Sequence, residues 1–242
     1  MGNRKYSNKG VNSARNAAPQ KKDNSSLVAL LIGAGLILVI IVSLLVALGA
    51  NNQGNSNDGG IADYTQEINS EKLSAFKETT EKTEYVKITF KGYGDVIVRL
   101  RSDIAPITVE NFQNLVSQKF YDGLTMHRII NDFMIQGGDG KLAGDKDPAT
   151  IKGEFSVNGV PNTLSHIPGV ISMARTPNYD SASSQFFIVS GPNATHLDGE
   201  YAGFGYVVAG LNVVTEIQKV DTDSNDKPLN DVIIEKICFV KK

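Results

Sequence analysis

The strongest constraint on this chain is an uncharged run of 22 residues at positions 27–48, in which Ser43 is the one polar side chain. As a helix this run would be about 33 Å long, at about 1.5 Å per residue, and the hydrocarbon core of a bilayer is about 30 Å thick. A helix of that length on the surface of a globular domain would carry a polar stripe, and this run has none. The sequence therefore predicts a membrane-spanning anchor.

The charges on the two sides of this run predict how the anchor is oriented. Six Lys or Arg and one Asp precede it, so the flank carries 6 − 1 = +5, and the rest of the chain carries −2 − 5 = −7. The positive-inside bias places the N-terminus in the cytoplasm and the chain after the anchor outside the cell. The alternative is secretion after signal-peptide cleavage, because Ala47 and Gly49 are small enough to flank a cleavage point. A signal peptide has an apolar core of only about 7–15 residues, which favours the uncleaved single-pass anchor.

The composition along the chain predicts four segments. Residues 1–26 form a basic cytoplasmic tail and residues 27–48 the anchor. Residues 49–84 form a flexible linker or stalk, because they begin with a polar, glycine-rich stretch that cannot bury a core and continue with polar and charged residues typical of a short stalk helix. Residues 85–242 form the folded domain, whose 242 − 84 = 158 residues suffice for one independent core.

The composition also excludes several kinds of site. The formal net charge is −2, so the chain has no general attraction to nucleic acid. Cys238 is the single cysteine, which excludes intramolecular disulfides and multi-cysteine metal sites. Residues 221–227 begin like a calcium loop but lack its glycine and its closing glutamate, which indicates a solvated turn. The sequence therefore predicts neither a metal site nor a cofactor.

The periodicity of the folded domain predicts a mainly β structure. Residues 85–90 alternate between apolar and polar side chains, residues 95–100 read D-V-I-V-R-L, and Gly92 and Gly94 lie between them, which indicates a hairpin. Further short β-like runs follow along the chain, about eight in all, without the regular alternation with helices that a parallel sheet requires. We therefore expect a closed, eight-stranded antiparallel barrel.

Two helices are expected to cap the open ends of this barrel. Pro106 begins a helical pattern, and the apolar residues of one face are Val109, Phe112, Leu115 and Val116. A second helix is expected over residues 211–220, with apolar side chains directed to the core.

Three stretches carry most of the distinctive residues. Residues 126–139 read M-H-R-I-I-N-D-F-M-I-Q-G-G-D, residues 169–189 contain S-M-A and S-Q-F-F-I, and residues 197–205 read L-D-G-E-Y-A-G-F-G. Here the chain resembles the cyclophilin family of peptidyl-prolyl cis–trans isomerases, whose pattern F-H-R-I-I-x-x-F-M-x-Q-G-G-D recurs with Met126 in place of the aromatic residue. The other family blocks occur in the same order at compatible spacing. With the predicted anchor, the chain resembles a bacterial, membrane-anchored form of this family.

The resemblance implies roles for particular residues. The catalytic arginine of the family corresponds to Arg128. The other positions that match its substrate-binding residues form the proline pocket, the polar rim and the edge that holds the substrate backbone: Phe133, Met134, Gln136, Ala174, Arg175, Gln185, Phe187, His196, Leu197 and Tyr201. His196 replaces the tryptophan through which family members hold the inhibitor cyclosporin, so sensitivity to that inhibitor is not carried over.

The implied function is acceleration of X–Pro isomerisation during the folding of unfolded or exported polypeptides outside the cytoplasm, by a monomeric catalytic domain. This reaction is slow because amide resonance imposes a barrier of about 18–20 kcal/mol. A fixed guanidinium can donate to the proline nitrogen only when the twisted bond restores its lone pair, and it needs no cofactor to do so. The alternative from another class is a non-catalytic module that binds proline-containing segments at the cell surface.

Overall fold

The computed structural model describes residues 62–144 and 148–242. The predicted cytoplasmic tail and membrane anchor, and the first part of the predicted linker, lie outside these residues. Among the helices of the described ranges, none has both the length and the apolar character needed to cross a bilayer.

The described residues form nine strands and three α-helices. The strands are β1 (Lys77–Thr79), β2 (Tyr85–Phe90), β3 (Gly94–Leu100), β4 (Arg128–Ile130), β5 (Met134–Gly137), β6 (Val170–Met173), β7 (Phe186–Val189), β8 (Gly203–Ala209) and β9 (Ile234–Lys241). The helices are α1 (Ala62–Thr65), α2 (Pro106–Ser117) and α3 (Leu211–Ile217). Short 3₁₀ turns occupy Leu73–Ala75, Gly140–Ala143, Ser156–Asn158 and Thr195–Leu197.

The predicted hairpin is present as β2 and β3. Every second residue of β2 is buried, and Val86 and Ile88 pair with Val98 and Val96 in the antiparallel register. Because side chains alternate across a strand, this pairing directs these four residues to one face, while Ile97 is buried on the other. Gly94 has a φ of +122°, a conformation that residues with a Cβ rarely adopt, and it allows the turn to close.

Both expected helices are also present. Pro106 lies in the first turn of α2, where its missing N–H would have no helical partner in any case. The residues that this helix buries include the predicted face: Thr108, Val109, Phe112, Leu115 and Val116. Phe112 contacts the rings of Tyr121, Phe186 and Phe204, so α2 packs on an aromatic cluster to which β7 and β8 contribute.

The expectation of a closed eight-stranded barrel is wrong. The nine strands form one antiparallel sheet in the order β1-β9-β2-β3-β8-β6-β7-β5-β4, and β4 and β1 are its unjoined ends. The segment before β4 meets the segment before β9 only through the isolated bridge of Thr125 with Ile233 and a few nearby backbone hydrogen bonds. Among the described strands, β4 pairs in a ladder with β5 alone, so its other edge is not continued and the sheet stays open here.

Residues 62–84, expected as the end of a flexible linker, pack against the folded domain. The Tyr64 side chain is 4% exposed, and its ring stacks on Tyr206 with 5.4 Å between centroids. The amide of Glu71 donates to the carbonyl of Val208, which lies at the register shift between β3 and β8, and β1 pairs with β9. The apolar side chains and the free carbonyls of the sheet thus hold a segment whose composition alone indicates a linker.

Candidate active site

Ten of the predicted site residues line one open cleft of about 420 Å³. They are Arg128, Phe133, Met134, Gln136, Ala174, Arg175, Phe187, His196, Leu197 and Tyr201. The remaining predicted residue, Gln185, lies beside the cleft and accepts a hydrogen bond from Nε2 of Gln136 at 3.0 Å. The fold therefore brings together residues that are up to 73 positions apart in the sequence, from 128 to 201.

The register of three strands aligns the centre of this cleft. Arg128 of β4 is paired with Gln136 of β5, and Gln136 is paired with Phe187 of β7. Residues that face each other across antiparallel strands extend from the same side of the sheet. The guanidinium, the amide and the aromatic ring therefore form a row across the sheet, so their order follows directly from the backbone pairing.

The apolar wall of the cleft comes from two connections. Phe133 follows the turn residue Asp132, which has a φ of +57°, and its ring stacks on His196 with 5.5 Å between centroids. His196 and Leu197 are carried by the 3₁₀ turn Thr195–Leu197. Met134 and Phe187 are almost fully buried at the base. The result is an apolar hollow with a polar row along one side.

The Arg128 side chain is 43% exposed and is held at one edge. Its Nε donates to Oδ2 of Asp226 at 3.3 Å, and Nη2 forms an ion-pair contact with the same oxygen at 3.2 Å. Asp226 lies in the segment that the sequence indicated as a solvated turn, and 98 positions separate the pair. No local pattern relates the two residues, so sequence reasoning missed this contact.

Arg175 also lines the cleft, and its side chain is only 8% exposed. Its guanidinium carbon lies 4.4 Å from the ring centre of Tyr201, 5.2 Å from that of Phe155 and 5.1 Å from that of Tyr179. Nε donates to the carbonyl of Glu200 at 3.0 Å. The cation–π contacts and this hydrogen bond make Arg175 a link between three loops. Sequence reasoning did not identify Phe155 or Tyr179 as part of this link.

A polar pair of the buried His166 and the partly exposed Asp198 lies behind the apolar wall. His166 is fully buried and stacks on Phe187, and its Nδ1 lies 2.9 Å from Oδ1 of Asp198, the residue after Leu197. Burial lowers the pKa of His166, and the neighbouring Asp198 carboxylate offsets this only in part. Asp198 also accepts from the amide of His166 and the hydroxyl of Ser165. These hydrogen bonds outweigh burial and lower the pKa of Asp198, so the pair anchors the wall as a neutral imidazole and a carboxylate.

The described residues offer no place for a metal ion. Within positions 62–144 and 148–242, no three His, Cys, Asp or Glu side chains are grouped so that they could coordinate one.

The comparisons with known proteins identify the family. The family model described as "Cyclophilin type peptidyl-prolyl cis-trans isomerase/CLD" matches residues 85–238. A peptidyl-prolyl cis-trans isomerase of Acinetobacter baylyi is 44% identical over 138 residues, which cover 54% of this chain and 70% of that protein. The peptidyl-prolyl cis-trans isomerase ppi1 of Schizosaccharomyces pombe is 39% identical over 145 residues, covering 59% and 91% of the two chains.

Solved structures show the same fold. A cyclophilin-type peptidyl-prolyl cis-trans isomerase of Cryptosporidium parvum superimposes with a TM-score of 0.59 at 26% identity, covering 66% of this chain and 98% of that one. A second structure from that organism, solved in the presence of the dipeptide Ala-Pro, gives 0.59 at 27% identity, with 65% and 99% covered. The family match, the relatives and the fold lead to one conclusion: this chain belongs to the cyclophilin-type peptidyl-prolyl cis–trans isomerases.

Proposed function

We propose that the cleft binds the proline of an X–Pro segment and that Arg128 accelerates isomerisation by stabilising the twisted peptide bond. One observation carries this proposal: the guanidinium of Arg128 lines the same hollow as four apolar side chains, which are Phe133, Met134, Phe187 and Leu197. A five-membered ring needs such an apolar hollow, and the bond that rotates needs a donor beside it.

The chemistry of the step explains why an arginine serves it. In the planar ground state the lone pair of the proline nitrogen is delocalised into the carbonyl, so the nitrogen accepts no hydrogen bond. Rotation ends this delocalisation, and the nitrogen becomes pyramidal and able to accept from Arg128. An interaction that forms only in the transition state lowers the barrier without strengthening ground-state binding. The guanidinium keeps its charge at every workable pH, and its planar shape restricts the direction of its donors.

The surroundings of Arg128 favour this role. The apolar wall excludes water from one side of the reacting bond, which strengthens the electrostatic effect of the guanidinium. Gln136, beside Arg128 in the register, presents an amide that can hold a substrate carbonyl. The dipeptide in the Cryptosporidium parvum structure supports proline-containing peptides as the ligand class.

Arg128→Ala tests the mechanism. We expect kcat/KM on a short X–Pro peptide to fall about a hundred- to a thousandfold, since one preorganised donor contributes about 3–4 kcal/mol to transition-state stabilisation. The rate is measured by NMR exchange between the cis and trans forms. Arg101→Ala is the matched control, because Arg101 pairs with Asp103 away from the cleft and should leave the rate unchanged. A loss of tenfold or less in Arg128→Ala would contradict the mechanism.

The second candidate function is binding of proline-containing segments without turnover. The same assay separates the two functions when it is combined with a titration of the peptide. Chemical-shift changes at the cleft with an unchanged rate of cis–trans exchange would favour the binding module. An accelerated exchange that depends on Arg128 would favour the enzyme.

The proposal includes a location outside the cytoplasm, with unfolded or exported polypeptides as substrates. The apolar run at residues 27–48 and the +5 charge of the flank before it support this part. Protease treatment of intact cells of the host, followed by detection of the isomerase domain, tests it. Degradation of a membrane-bound domain in intact cells is the expected result. A domain protected until the membrane is broken would contradict this location, and a shortened chain in the medium would indicate signal cleavage.

A further inference from the structure

We infer that Asp226 is a positioning residue for Arg128, which fixes the direction in which the guanidinium meets the substrate. This inference rests on the proposed role of Arg128 in the reaction. It concerns a side chain outside the family blocks that the sequence contains and outside the residues that line the cleft.

The ion pair of Arg128 and Asp226 involves one edge of the guanidinium. Nε and Nη2 form one edge of the guanidinium and contact the same oxygen of Asp226, Nε through a hydrogen bond and Nη2 through an ion pair. Among the described residues, no other acceptor is hydrogen-bonded to this guanidinium. The N–H groups of the opposite edge therefore stay available for a ligand, while the contact with the carboxylate restricts rotation of the long side chain.

Asp226 is itself held in place by hydrogen bonds of its backbone. Its φ is +63°, and its amide donates to the carbonyl of Asp223 at 3.1 Å. Its own carbonyl accepts from the amide of Ile129 at 2.8 Å. Ile129 is the residue after Arg128, so the backbone that carries the carboxylate is bonded to the strand that carries the guanidinium. The backbone bond therefore keeps the Cα positions of the pair close to each other, within reach of the ion pair.

The exposure of this ion pair indicates that it positions Arg128 rather than stabilises the fold. The side chains of Arg128 and Asp226 are 43% and 40% exposed, and exposed ion pairs contribute little to the free energy of unfolding. A catalytic donor, in contrast, depends strongly on its direction, because a misplacement of about 1 Å can cost about a hundredfold in rate. Loss of Asp226 should therefore reduce kcat while leaving the melting temperature nearly unchanged.

Two variants of the full-length chain test the inference. Asp226→Asn keeps an acceptor but removes the charge, and Asp226→Gly removes both, and each of these residues tolerates a positive φ. We expect kcat on an X–Pro peptide to fall about tenfold in Asp226→Gly and less in Asp226→Asn, with KM changed less than twofold in both. Asp103→Asn is the control, because it removes the same charge from an arginine pair outside the cleft.

A second readout follows Arg128 directly. The order parameter of its ¹⁵Nε–¹H group, measured by NMR relaxation, should fall in Asp226→Gly, because the side chain gains freedom. A double-mutant cycle completes the test: in the Arg128→Ala background, assayed at high enzyme concentration, Asp226→Gly should cause no further loss.

Several results would overturn the inference. These are an unchanged or increased kcat in Asp226→Gly, an unchanged order parameter of Arg128, or the same fold-loss with and without Arg128. If Arg128→Ala is itself fully active, the proposed mechanism fails and this inference fails with it. If Arg128→Ala is inactive while Asp226→Gly matches the wild type, only the inference fails.

Discussion

Replacement of Tyr64 tests whether residues 62–84 are part of the folded domain. The ring of Tyr64 stacks on Tyr206, and its hydroxyl accepts from the amide of Ser165 at 2.9 Å and donates to the carbonyl of Ser165 at 3.2 Å. Ser165 in turn donates to Asp198, which anchors the wall of the cleft. The substitution therefore acts on a contact between the N-terminal segment and the structure that supports the candidate site.

The magnitude follows from what each substitution removes. Tyr64→Phe leaves the polar groups of Ser165 without this partner, which we expect to cost about 1–2 kcal/mol of unfolding free energy. Tyr64→Ala also removes an almost fully buried ring, and losses of this kind cost about 3–5 kcal/mol. For a domain of this size, about 1 kcal/mol corresponds to a change of about 2–4 °C in Tm. The expected decreases are therefore about 2–8 °C for Tyr64→Phe and about 6–20 °C for Tyr64→Ala.

Thermal unfolding followed by circular dichroism measures these changes in the full-length chain. Leu73→Ala is the control in the same segment, because Leu73 is 42% exposed and its loss should change Tm by no more than about 2 °C. If residues 62–84 were a loose linker, all three variants would unfold at the temperature of the wild type. That result would refute the packing described here.

Two further predictions concern the histidines His166 and His127, and the cleft residue Arg175. Burial lowers the pKa of both His166 and His127 below 6.5, so the unfolded chain takes up protons at a higher pH than the folded chain. The contribution of these histidines to stability is complete above pH 6.5 and is lost as the pH falls through their pKa values in the folded chain. The urea midpoint of unfolding should therefore decrease from pH 7 to pH 5. A constant midpoint would contradict this. Arg175→Lys keeps the charge but loses the planar contact with three rings, so Tm should fall by about 2–4 °C and the KM for an X–Pro peptide should rise several-fold with little change in kcat. Unchanged Tm and KM would show that only the charge matters.

The hairpin and the first long helix could be predicted from the sequence because their signals are local. Alternation along residues 85–90 directs every second side chain to one face, and this depends only on the geometry of a strand. In the same way, the face of α2 that contains Phe112 is buried at the spacing that one helical turn imposes. In both cases the residues that carry the signal lie within a few positions of each other.

The residues of the cleft could be predicted only through the family resemblance. Arg128, Gln136 and Phe187 carry no pattern that relates them to each other, and the resemblance placed them together. The structure adds the cause, which is a row of backbone pairs across β4, β5 and β7. It also adds Asp226 and the rings of Phe155 and Tyr179 beside Arg175, which no motif in the chain indicated.

By itself, the sequence determined where apolar and polar side chains alternate, where the chain forms helices, and which chemical groups it can offer to a proline-containing ligand. Only the tertiary structure decided that the sheet stays open at β4, that Tyr64 brings the N-terminal segment onto the domain, and that Asp226 meets Arg128. The physical reason is the separation along the sequence between the residues that interact. Periodicity reflects the geometry of neighbouring residues, whereas a contact between positions 98 or more apart depends on the free energy of the whole fold, to which every other strand contributes.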